Sequence, residues 1–136
     1  LALSFATPAV QARFQAFPAP VRDRLLALRA LVFDVADALG CGPLEETLKW
    51  GEPAYLTTAS GTGTTLRMDS KDPGAGHVAL YVHCQTRVVA TLRARHGDAL
   101  AYEGTRAVVL PEGVGEEVVR DVVATALTYK VWSRKG

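Results

Sequence analysis

At 136 residues and 14.5 kDa the chain has the length of a single domain, enough to bury about two thirds of its unfolded surface. Apolar residues make up 49% and charged residues 21%, which excludes a disordered polar chain. A net charge of +1, from 15 basic and 14 acidic residues, provides no global field toward nucleic acid or a membrane surface. No apolar run approaches the roughly 18 residues that span a bilayer. The start "LALSFATPAV" lacks the basic residues of a secretory signal. The expected setting is therefore cytoplasmic, with Cys41 and Cys84 as reduced thiols. What precedes Leu1 is left open.

In chain order, "TPAVQARFQAF" opens with a Thr cap and a Pro at the first helical position, which predicts a short helix. In "PAPVRDRLLALRALVFDVADALG", Val21, Leu25, Leu28, Val32, Val35 and Leu39 step by three and four along one helical face. Gly40, Gly42 and Pro43 end that helix. "LKWGEPAY" then begins as the exit from the helical layer, with Pro53 starting the first strand. "PAYLTT" and "TTLRMDS" flank the turn "ASGTG", and "HVALYVHC" is the clearest strand. A helix through Val88, Val89 and Leu92 follows, then a hairpin around Gly104. A last helix carries Val118, Val119, Val122, Val123, Ala126 and Leu127 on one face. The predicted fold is α+β, in the order α-α-β-β-β-α-β-β-α. It is a two-layer sandwich whose antiparallel sheet has helices mainly on one face.

Strand alternation divides the polar residues. In "HVALYVHC" the apolar set Val78, Leu80, Val82 and Cys84 takes the core side, leaving His77, Tyr81 and His83 outward. Leu66 and Met68 likewise leave Arg67 and Asp69 outward, and taking Ala54 and Leu56 as core places Tyr55 outward. Tyr55, Arg67, Tyr81 and His83 are thus expected on one open face, with Lys49, Trp50, Lys71 and Arg106 beside it. Arginine forks, aromatic faces and a titratable histidine suit a small anion carrying a flat group. The alternative is an ordinary solvent-facing sheet with a Tyr–Arg cross-strand pair.

Other constellations fail on geometry. His83 and Cys84 are neighbours on a strand and point to opposite faces, which counts against a Cys–His nucleophile. No HxxxH, HxH or CxxC pair supports a metal centre, and "SGTGTT" lacks the lysine and the following helix of a phosphate loop. Asp34, Asp37, Glu45 and Glu46 remain as a small acidic patch.

The stretch Trp50-Gly51-Glu52-Pro53-Ala54-Tyr55, after "FPAPVRDRLLALRALVFDVA" and before "TTLRMDSK", "VALYVHCQT", "YEGTRAVVLP" and "ALTYK", resembles the DUF1801 (YdhG-like) family of small, mostly bacterial proteins. The similarity runs from about Phe17 to Lys130, so one domain over residues 1–136 is expected. It implies an α+β sandwich and carries over Lys49, Trp50, Gly51, Pro53, Tyr55, Arg67, Lys71, His83, Glu103, Gly104 and Arg106, with no catalytic assignment. The expectation is a non-enzymatic binding module for a small anionic or aromatic ligand, or a protein segment, without a cofactor. Family precedent adds an alternative, a frataxin-like iron chaperone using the acidic patch, although this chain is not notably acidic. An enzyme with His83 as acid or base is a second alternative. Neither nucleic acid nor membrane is expected as a partner. The apolar first segment and the open face each suit a homodimer.

Overall fold

The first helices form where their local signals place them. In the computed structural model, which describes residues 4–135, the Thr7 hydroxyl accepts from Val10 N and caps α1 (Pro8–Ala16). α2 (Ala19–Leu39) ends at Gly40, whose φ of 68° supplies a left-handed cap. Val21, Leu25, Leu28, Val32 and Val35 are buried, whereas Leu39 at the helix end is half exposed. Among the described residues, no helix is long and apolar enough to cross a membrane.

Six strands follow: β1 (Glu45–Lys49), β2 (Glu52–Leu56), β3 (Leu66–Asp69), β4 (Ala79–Tyr81), β5 (Ala101–Glu103) and β6 (Ala107–Val109). They form one antiparallel sheet in the order β1-β2-β3-β4-β6-β5. α3 (Val88–His96) joins β4 to β5, and α4 (Glu116–Leu127) and the short α5 (Tyr129–Trp132) complete the chain. The α+β sandwich is as expected, with one strand more. Glu45–Lys49 is a strand, so Leu48 and Lys49 belong to it rather than to a helix exit, and it pairs with β2 through the two-residue turn Trp50-Gly51. Both turn residues have positive φ, 56° and 73°, the backbone of a type I′ hairpin.

Tyr55, Leu66, Met68, Leu80 and Val108 line the inner face of the sheet and share one core with residues of α1 to α4, including Phe14, Leu25, Val32, Leu92, Val123 and Leu127. The β2–β3 connection docks on the end of α4. Thr62 Oγ1 donates to the Leu127 carbonyl at 2.8 Å and Thr64 N donates to that of Ala126 at 3.0 Å. These bonds satisfy carbonyls that a helix end leaves unpaired. Gly63 makes the approach feasible, since a Cβ there would lie 2.5 Å from the Leu127 backbone.

Candidate functional site

Register defines the outer face of the sheet. Thr47 pairs with Ala54, Ala54 with Arg67, Arg67 with Tyr81, Tyr81 with Ala107 and Ala107 with Glu103. This single row crosses all six strands and sets one large aromatic ring between an arginine and an alanine. A neighbouring row runs Asp69, Ala79, Val109, Ala101. Ala79, Tyr81, Ala107 and Val109 form a small apolar cluster separate from the main core. The small residues leave room for long side chains to lie flat across the sheet.

Charged groups close over that floor. Glu52 is only 4% exposed and accepts from both Arg67 Nη1 at 2.5 Å and Lys71 Nζ at 2.7 Å. Asp69, also buried, takes Arg13 Nη2 of α1 at 3.1 Å and lies 3.4 Å from Lys71 Nζ. The Arg67 guanidinium and the Lys71 ammonium stand 5.6 and 5.1 Å from the Tyr81 ring centroid, within cation–π range. His77 Nε2 lies 3.1 Å from Glu103 Oε2, and His77 Nδ1 accepts from Lys71 N. The Glu52 hydrogen bond, opposed by partial burial, holds the Lys71 ammonium above its ordinary pKa.

Tyr81 sits beneath this network at 4% exposure. Its hydroxyl is buried, as is that of Ser70, and neither has a hydrogen-bond partner among the described residues. Burial pushes the Tyr81 phenol up, and the Glu103, Asp69 and Glu52 charges add to this against the pull of Arg67. The phenol therefore stays protonated at neutral pH, a hydrogen-bond donor waiting for an acceptor.

Known protein families, curated proteins and solved structures were each compared with the chain, and none matches it.

The expected site residues divide between this cluster and other places. Arg67, Lys71, Tyr81 and Glu103 come together on the outer face, and Lys49 adjoins them in register with Glu52. Tyr55 does not. It faces the helices, fully buried, with its hydroxyl donating to Glu46 Oε2 at 2.8 Å and its ring edge-on to Phe33. Burial and the Glu46 charge raise its phenol pKa. Trp50 projects from the hairpin tip at 89% exposure, so its indole is no wall of the cluster. β4 ends at Tyr81, so alternation stops there. His83 lies in the following turn, with Nδ1 accepting from Gln85 N, and Cys84 is exposed rather than buried. Arg106 lies exposed in the turn between β5 and β6.

The acidic patch does not assemble either. Glu45 and Glu46 are adjacent on β1 and point to opposite faces. Glu45 accepts from the Thr58 hydroxyl, and Asp34 pairs with Arg120. Glu46 is buried against Arg29, which donates from Nε at 2.6 Å and from Nη2 at 3.0 Å. Burial opposes the Glu46 charge, but Arg29, Tyr55 and the Ala6 amide overcome it and hold the carboxyl below the ordinary glutamate range. The described residues contain no group of three or more His, Cys, Asp or Glu side chains placed to hold a metal ion.

Alternation had already placed Asp69 and His77 on the outer side. Glu52 and Arg13 were missed. Glu52 would have followed from the correct phase of β2, while Arg13 arrives from α1 and leaves no signal in strand alternation.

Proposed function

We propose that the chain is a non-enzymatic binding module, a DUF1801-like domain whose outer sheet face takes a small anion around Tyr81. The observation that carries this reading is the buried Tyr81 hydroxyl, which lacks an acceptor among the described residues while two cations flank its ring. An unmade hydrogen bond of this kind costs about 1–3 kcal/mol, and a ligand oxygen accepting from Tyr81 recovers it. Arg67 and Lys71 supply the complementary charge through N–H donors that their pairing with Glu52 leaves over. Two flanking cations favour ligands that offer two oxygens.

Calorimetric titration with inorganic phosphate, acetate, succinate and benzoate tests the proposal. At least one of these anions is expected to bind. Arg67→Ala should weaken that binding strongly, and Tyr81→Phe should weaken it about tenfold. Tyr81→Phe should at the same time leave the free protein about 1 kcal/mol more stable, since it removes an unpaired buried hydroxyl. Absence of heat across the whole panel, or identical affinity in wild type and Arg67→Ala, would overturn the reading.

A further inference from the structure

A second recess lies on the helical side of the molecule. It opens between α2 and the segment joining β6 to α4 and has a volume of about 280 Å³. Leu28, Leu31, Leu110, Val114 and Val119 give it apolar walls, and the exposed Ala27 lies at its lip. One cation borders this chamber. Arg24, half-buried, donates from Nη1 to the Gly76 carbonyl at 2.7 Å and from Nη2 to the Leu110 carbonyl at 2.8 Å. No carboxylate reaches ion-pair distance of it among the described residues. Glu116, the acidic residue bordering the recess, is engaged by Arg120 at 3.1 Å.

Two neutral carbonyls hold the Arg24 guanidinium in place without cancelling its charge, and they leave further N–H donors over. A fixed arginine with no ion-pair partner among the described residues, beside an open apolar recess, selects an amphipathic ligand. The charged end is a carboxylate, whose two oxygens match the arginine fork. A single cation in apolar surroundings balances one negative charge and disfavours a dianion. The volume sits at the small end of ligand pockets and holds roughly nine water-sized groups. We infer that this recess binds a small monocarboxylate with a short, branched aliphatic tail.

The test is an NMR titration of the isotopically labelled chain with 4-methylpentanoate and, separately, with its uncharged amide. Saturable shifts are expected at the amides of Leu28, Leu110 and Val114, with the amide ligand at least tenfold weaker. Arg24→Gln, which keeps a donor for a carbonyl, should weaken the carboxylate about tenfold while the rest of the spectrum stays native. Ala27→Phe fills the mouth from an exposed position and should abolish binding with Arg24 intact. The inference is overturned if carboxylate and amide bind equally, or if Ala27→Phe binds as wild type does. It is overturned equally if saturable shifts are missing from the recess or gather around Tyr81 on the sheet. Shifts around Tyr81 would bear on the outer face alone, so the two sites succeed or fail separately.

Discussion

Trp50 holds φ at 56°, a left-handed backbone that a bulky side chain adopts at a cost of about 1–3 kcal/mol. The type I′ turn demands that geometry of both central residues, and Asn-Gly meets the demand far better than Trp-Gly. Trp50→Asn should therefore stabilise the protein by about 1 kcal/mol in urea denaturation. An unchanged midpoint would mean that the tip carries no backbone strain. Folding alone does not explain an exposed indole at this position, because burial contributes almost nothing there. The tyrosines show a similar contrast. Tyr55 spends its hydroxyl on Glu46, whereas the buried Tyr81 hydroxyl has no partner among the described residues. One phenol is part of the architecture, and the other is the group on which the proposed anion site turns.

Elements were legible wherever burial followed apolar character. The α2 and α4 stripes, the Gly40 stop and the hairpin around Gly104 all depend on local spacing or on a single backbone requirement. β1 was not legible, because its inward positions are Glu46 and Leu48 and a buried carboxylate breaks the alternation that marks a strand. The same ion pair concealed the phase of β2. Tyr55 faces inward as the register partner of Glu46, and without β1 the apolar Ala54 and Leu56 stood as the core side of the strand. Half of the outer cluster was accessible from β3 and β4, where Leu66, Met68 and Leu80 fix the phase. The contribution of Arg13 depends on tertiary packing that spans 56 residues. At this scale the β2–β3 connection also makes a prediction. Gly63→Ala would drive a methyl group to 2.5 Å from the Leu127 backbone, so loop and helix end must part. A loss of about 1–3 kcal/mol is expected in thermal or urea unfolding. The control Gly61→Ala should lose less, because no atom lies within 4 Å of the added Cβ and only its φ of 67° opposes the change.

For the molecule as a whole, the Arg29–Glu46 pair links folding to acidity. The native state holds the Glu46 carboxyl below its ordinary range, so at intermediate pH the unfolded chain binds a proton that the native chain does not. Stability from this pair is complete above the ordinary glutamate pKa and drains away as pH falls through the lower native value. Glu46→Gln should cost about 3 kcal/mol at neutral pH by removing the buried carboxylate that Arg29 and Tyr55 both engage. The variant should also show a shallower loss of stability on acidification, read from urea midpoints across pH. A parallel acid limb in both proteins would assign that limb to other carboxylates. The two tryptophans give the molecule a different kind of contrast. Trp132, partly buried, donates its indole N–H to the Thr125 carbonyl and stacks edge-on with Tyr129, while Trp50 stands almost wholly in water. Their emission should separate into a quenchable red component and a shielded blue one. The hairpin tip thus carries its own optical probe, which reports whatever settles against that end of the sheet without any label being attached.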